Sequence, residues 1–233
     1  MSVLPNAPKN NALNRFTSLP IALEVLHNQY LTLLTSDAWE DRNDAYFLDR
    51  YREKKGLGTV LAICFSTRAE TFHQWRVFSG GLSGVCIEFD RSRLLDSVRN
   101  EKLFQRNNDR FRVGEVSYHL IRDLQRKRPD LEQWPFLKRK AFKDEAEFRI
   151  IFESRTENLL SISMGFDLSA VRRVTLSPWL PRSTADSVTE VIRGIDGCAN
   201  LLVTQSSLIN NGDWRKAIDE AQPSSRENRR QPS

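Results

Sequence analysis

Apolar positions in this chain come in short runs of differing period, and their spacing predicts a succession of small elements. "LNRFTS" (13–18) has the length of a strand. "SLPIALEVLHNQ" (18–29) reads as a helix, with Ser18 as N-cap, Pro20 in the first turn and Ile21, Leu23, Val25 and Leu26 on its apolar faces. "YLTLLT" (30–35) is a second strand, and residues 38–58 give a polar loop and a charged helix ended by Gly56 and Gly58. "TVLAICFS" (59–66) is an almost continuous apolar run of strand length, which predicts a central strand covered on both faces. A short helix (68–78), a glycine-rich turn (79–84) and the strand "VCIEFD" (85–90) follow, with Asp90 placed to cap the helix 91–100.

The second half is less regular. "FRVGEVSYHL" (111–120) alternates like a strand, and 121–142 tends to helix but is interrupted by Pro129 and Pro135. In "FKDEAEFRIIFES" (142–154), Ala146, Phe148, Ile150 and Phe152 fall on one face and Glu145, Glu147 and Arg149 on the other, which predicts a half-buried strand. A strand at 171–179, a helix at 183–194 ended by Gly194 and a last strand at 200–208 complete the pattern. Short strands unevenly mixed with helices argue an α+β fold and not a βαβ alternation. Residues 1–12 read as a flexible leader, 13–220 as one domain, and the polar 221–233 as a disordered tail.

Composition changes this picture in one place. The 233 residues carry a net charge of +5, and the excess sits between Glu101 and Lys143, where twelve basic residues face six acidic ones. That basic, largely helical segment suits a polyanion such as nucleic acid, or is a solvated helix surface. No apolar run spans a bilayer and the N-terminus lacks the apolar core of a signal peptide, so the chain reads as cytoplasmic, with no membrane partner. Cys64, Cys86 and Cys198 have no CxxC spacing and read as free buried thiols. The three histidines follow no ligand spacing, so no metal is expected.

No phosphate-binding glycine loop and no nucleophile elbow is present. What remains are polar residues at strand ends: Arg15, Ser66, Glu145 and Glu147. Each has an ordinary structural reading. A Glu-x-Glu beside Arg149 can be a solvated strand face held by a salt bridge as readily as a pair of carboxylates placed for chemistry.

In order, the chain carries a hydrophobic-aromatic-Thr-Ser strand (Phe16, Thr17), the pair Asn43–Asp44, the "CFS…W" pattern at Cys64, Phe65, Ser66 and Trp75, the "GVCIEF" strand, and "FKDEAEFR". This set resembles a bacterial family known only as a domain of unknown function, over residues 13 to about 180. Ala45 departs from it, standing where that family often has proline. The family in turn resembles the ADP-ribosyltransferase superfamily, which places an Arg or His on a first strand, a Ser or Tyr on a second and a catalytic Glu on a later one. The resemblance implies two small mixed or antiparallel sheets that form a cleft flanked by helices. It implies NAD as donor and no metal, with Glu147 and Glu145 catalytic and Arg15, Phe16, Thr17, Asn43, Ser66 and Trp75 on the dinucleotide. Glu147 would stabilise the oxocarbenium ion that forms as nicotinamide leaves, and Arg15 would hold an anionic part of NAD. The basic segment then favours a nucleic-acid acceptor, RNA first, on Arg126, Lys127, Arg128 and Arg139; a protein acceptor, or a binding module without chemistry, stays open. Small enzymes of this kind resemble toxins of toxin–antitoxin or phage-defence systems, which implies an antitoxin protein as a partner.

Overall fold

The structure, a computed structural model, describes residues 11–100 and 110–221. The first half of the chain follows the sequence pattern closely. It runs β1 (Ala12–Ser18), α1 (Leu19–Asn28), β2 (Tyr30–Leu34), α2 (Arg42–Lys55), β3 (Thr59–Ser66), α3 (Phe72–Val77), β4 (Gly84–Asp90) and α4 (Arg91–Asn100). Ser18 precedes α1 but makes no side-chain cap; Asp90 does cap α4, accepting from the Arg93 N–H at 3.1 Å. α2 ends at Gly56, whose φ of +60° is the left-handed conformation that a residue without Cβ adopts freely. Ala12 already belongs to β1; residues 1–10 of the expected leader, and nearly all of the expected tail, lie outside the described residues.

The second half runs β5 (Arg110–Glu115), β6 (Ser117–His119), α5 (Ile121–Arg126), β7 (Leu137–Arg139), β8 (Glu147–Ser154), β9 (Ser161–Gly165), β10 (Val171–Leu176), α6 (Arg182–Arg193), β11 (Leu202–Gln205) and α7 (Gly212–Asp219). The basic segment is not the helical surface expected. Its first residues, 101–109, lie outside the described ones; beyond them only α5 is α-helical, and 3₁₀ turns occupy Leu131–Phe136 and Lys140–Glu145. Pro129 and Pro135 remove backbone donors here, which prevents a continuous helix.

Among the described residues nine strands form one mixed sheet, and β6 and β7 form a separate parallel pair. β1 pairs with β4 along its whole length, β4 with β10, and β10 in parallel with β11. β3 pairs with β8 from Thr59↔Ser154 to Ser66↔Glu147, and β8 with β5. The two groups meet through a single bridge, Asn14↔Ser66, between β1 and β3. The expected two-sheet cleft is thus present as a split within one continuous sheet. Away from that bridge β1 and β3 form no further ladder pair among the described residues, and the cavity described below opens between them.

β8 differs from its expected half-buried character: all eight of its residues are buried. Its apolar side joins the main core with Leu61, Ile63, Phe65 and Phe89. Its charged residues are matched from other elements. Glu153, 1% exposed, accepts from Tyr51 Oη and Arg110 Nε, each at 2.7 Å, and from Arg112 Nη1 at 3.1 Å. Burying a charge needs such partners. The strand also starts later than alternation suggested. Ala146 has a φ of +44°, so Glu145 ends a 3₁₀ turn and is not in strand register with Glu147.

Candidate active site

The cleft opens beside the Asn14–Ser66 bridge and encloses about 680 Å³. That is within the range of about 300–1,000 Å³ typical of small-molecule sites. Its walls come from elements distant in sequence: β1 supplies Arg15, Phe16 and Thr17, β3 ends in Ser66, and the chain entering β8 supplies Glu145 and Glu147. Six of the residues singled out from the sequence therefore line one cavity.

At its floor is a buried charged cluster. Arg149, fully buried, donates from Nε to Glu147 Oε1 at 2.6 Å and from Nη2 to Glu147 Oε2 at 3.0 Å. Its other edge grips Asp44, with Nη1 donating to Oδ1 at 2.9 Å and Nη2 to Oδ2. One guanidinium thus holds two carboxylates in two forked pairs. Lys138 sits between three carboxylates: its Nζ is 2.5 Å from Glu145 Oε2, 3.2 Å from Glu147 Oε2 and 3.5 Å from Asp44 Oδ2. The Glu147 N–H donates to Tyr118 Oη at 2.8 Å, which fixes the start of β8.

The two glutamates titrate in opposite directions. Burial alone would raise the Glu147 carboxyl, but Arg149 and then Lys138 outweigh it and hold the group down at about 2. Burial raises Glu145, and its hydrogen bond to Lys138 does not fully offset that because Glu147 and Asp44 add like charge. Burial likewise raises Asp44 despite Arg149. Lys138 is raised, because the three carboxylates outweigh its own burial. At neutral pH the site holds one carboxylate fixed in its ionised form beside another that takes a proton more readily. Such a pair suits electrostatic stabilisation by one group and proton transfer by the other.

The cations at the floor are covered. The Trp39 ring lies 5.1 Å from Arg149 Cζ and the Phe142 ring 5.0 Å from Lys138 Nζ, and both aromatic residues line the cleft. Arg15 is different. It donates from Nη1 to the Cys64 carbonyl at 3.0 Å and pairs with no carboxylate among the described residues. Burial lowers its pKa, yet an arginine stays cationic.

The other sequence candidates are placed as follows. The Ser66 hydroxyl donates to the Glu145 carbonyl at 2.9 Å and accepts from Gln74 Nε2 at 2.6 Å, so it fixes the turn that presents Glu145. Trp75 does not reach the cleft: it is fully buried behind Phe16, edge-to-face at 5.3 Å, with Nε1 donating to Glu70 at 2.7 Å. Asn43 does not line it either. It is exposed in the first turn of α2 and bonds Asp41, while its neighbour Asp44 points inward to Arg149. Arg126, Lys127 and Arg128 are exposed at the end of α5 and after it. Arg139 lies on β7 in the wall of a small adjoining cavity that Lys138 also lines, and it is absent from the lining of the main cleft.

Sequence reasoning missed Lys138 and undervalued Asp44. Lys138 is one of the twelve basic residues between Glu101 and Lys143, and what separates it from its neighbours is its contact with three carboxylates, which the local sequence does not show. Cys86 and Cys198 are buried, whereas Cys64 is partly exposed in the cleft wall beside Glu147; all three are free thiols. Among the described residues no group of three or more His, Cys, Asp or Glu is placed to hold a metal, and no helix is long and apolar enough to cross a membrane.

Residues 74–150 match the model of a family described as "Protein of unknown function (DUF2971)". The match covers about a third of the chain, from α3 to the start of β8, and includes Glu145 and Glu147. No curated protein matches. Among solved structures, the chain is similar to three complexes of Thermus sp. 2.9 DarT. The complex with carba-NAD+ is 9% identical, with a TM-score of 0.43 over 86% of this chain and 97% of that one. The complex with NAD+ is 7% identical, with a TM-score of 0.43 over 86% and 98%. The complex with ADP-ribosylated ssDNA is 8% identical, with a TM-score of 0.44 over 85% and 95%.

Proposed function

We propose that this protein is an NAD-dependent ADP-ribosyltransferase whose acceptor is a nucleic acid. The observation that carries the reading is the convergence on one cleft of an arginine without a carboxylate partner among the described residues and two carboxylates of opposite pKa shift. The residues fit a dinucleotide. Among the described residues, Arg15 is the cleft-lining arginine left open to a pyrophosphate, since Lys138 is engaged by carboxylates and Arg149 is buried beneath Trp39. This sets a direction: phosphates at Arg15, nicotinamide ribose at Glu147.

NAD supplies ADP-ribose when its nicotinamide–ribose bond breaks and positive charge develops at the ribose. Glu147 holds a fixed negative charge against that site and needs no reorganisation, because Arg149 and the Tyr118-anchored backbone already orient it. Glu145, with its raised pKa, takes the proton that the acceptor loses as the new bond forms. Ser66 keeps Glu145 in place through the backbone of its turn. Arg126, Lys127, Arg128 and Arg139 add sequence-independent attraction for a nucleic-acid backbone. A role as the toxin of a toxin–antitoxin or phage-defence pair is consistent with such an enzyme.

The test is to incubate the purified protein with labelled NAD and separate RNA, single-stranded DNA and protein pools. Label in a nucleic-acid pool together with nicotinamide release supports the reading; label in the protein pool alone moves the acceptor class; neither label nor nicotinamide release overturns it. A second reading keeps the cleft but makes the cluster purely structural, in a nucleic-acid-binding module without chemistry. It is favoured by the fact that both Glu147 oxygens already accept from Arg149 or Lys138. It requires salt-sensitive binding with no NAD consumption.

A further inference from the structure

One rim of the cleft has a surface that the basic residues do not explain. α3 and the turn after it line the opening through His73, Val77 and Phe78. Phe78 is 41% exposed at that opening, and outside the cleft α3 exposes Phe72 (54%). Phe72 meets Trp179 edge-to-face at 5.6 Å, and Arg76 lies over both rings, with Cζ 4.2 Å from the Trp179 centroid and 5.3 Å from that of Phe72. Arg76 pairs with no carboxylate among the described residues. Folding does not require this arrangement, because the short helix is held from its inner face. Thr71 and Gln74 form a capping box, Gln74 also donates to Ser66, and Trp75 packs on Phe16. The outward ring of Phe72 is therefore not what holds the helix, and the same helix carries His73 and Val77 into the lining of the cleft.

We infer that this rim is the landing platform for an unpaired nucleotide of the acceptor strand, an inference that rests on the transferase reading for its biological purpose. A single-stranded nucleic acid offers what the surface complements: planar bases for exposed rings and a phosphate for an arginine that lies over those rings and has no acidic partner among the described residues. A paired base hides its face, so the platform selects single strands. Its continuity with the cleft through His73, Val77 and Phe78 brings the bound nucleotide to the mouth of the cavity that holds Glu145.

The experiment is fluorescence anisotropy of a labelled mixed-sequence single strand, as RNA and as DNA, and of the matching duplex. It is done without NAD, on the wild type and on Phe72→Ala, Arg76→Ala and Phe72→Trp. The inference expects single strands to bind more tightly than duplex. Each alanine variant should weaken single-strand binding about 5- to 150-fold, and Phe72→Trp should restore it. Melting curves of the variants confirm that the fold is kept. Equal affinity for single strand and duplex, or alanine variants that bind like the wild type, overturns it. Calorimetric titration with NAD separates the two ideas: strand binding without NAD binding removes the transferase reading and leaves the platform, and the reverse removes the platform alone.

Discussion

Replacing Arg149 by methionine removes a fully buried cation that two carboxylates depend on. The guanidinium makes four hydrogen bonds to Asp44 and Glu147 and one to the Pro135 carbonyl at 3.0 Å. Methionine fills part of the volume but leaves both acids facing each other in the interior, with Lys138 as the remaining cation. Breaking a buried pair in this way costs about 3–5 kcal/mol. In a chain of this size 1 kcal/mol corresponds to about 2–4 °C, so the melting temperature at pH 7 should fall by about 6–20 °C. The loss should also depend on pH. Arg149 and Lys138 depress Glu147 from its ordinary 4.5 to about 2, so the stabilisation is fully present above the unfolded-state value and is lost as pH falls through the folded one. In the variant the depression is smaller, and protonation of the orphaned acids relieves repulsion. The gap between wild type and variant should therefore narrow as pH falls from about 4.5 toward 2. Thermal melts by circular dichroism over that range test this. A loss below 2 °C at pH 7, or a gap that does not change with pH, would refute the view that Arg149 balances the cluster.

Three further outcomes follow from the same geometry. Lys138→Met removes the cation shared by Glu145, Glu147 and Asp44, so both glutamate pKa values rise; the acidic limb of the pH–rate profile should move to higher pH, and Lys138→Arg should move it back, as measured by label transfer. Glu145→Gln should slow transfer to the acceptor more than nicotinamide release, seen by following both products, because Glu145 acts on the acceptor's proton. Neutralising Arg126, Lys127 and Arg128 together should lower the slope of log affinity against log salt by about 2 for single strands, in a salt titration of binding.

The parts of the fold legible in the sequence are those fixed by local pattern. β3 is an unbroken apolar run because both its faces are covered, and α4 begins where Asp90 can accept from the Arg93 N–H. β8 was misread for a physical reason. Alternating charges signal a solvent face only if nothing inside the protein pairs with them, and the partners of Arg149 and Glu153 come from α2 and β5, as far as 105 residues away. The same separation hid the site. Arg15, Ser66 and Glu147 could be named from strand-end positions and resemblance, but the inward turn of Lys138 depends on a three-residue strand that no pattern announces. Glu145 left the strand because Ala146 adopts the left-handed region, which local sequence gives no reason to expect of an alanine.

Glu147→Gln does not leave stability untouched, since Glu147 engages both Arg149 and Lys138; a loss of about 1–3 kcal/mol is expected for the charged hydrogen bonds, so activity must be read on the folded protein. With that control, the most direct measurement is nicotinamide release from NAD by wild type and Glu147→Gln at a temperature where both are folded. Release by the wild type that falls at least a hundredfold in the variant is the expected result. No release by the folded wild type in the presence of RNA, DNA and protein pools, or equal release by both proteins, contradicts the assignment of Glu147 as the catalytic carboxylate.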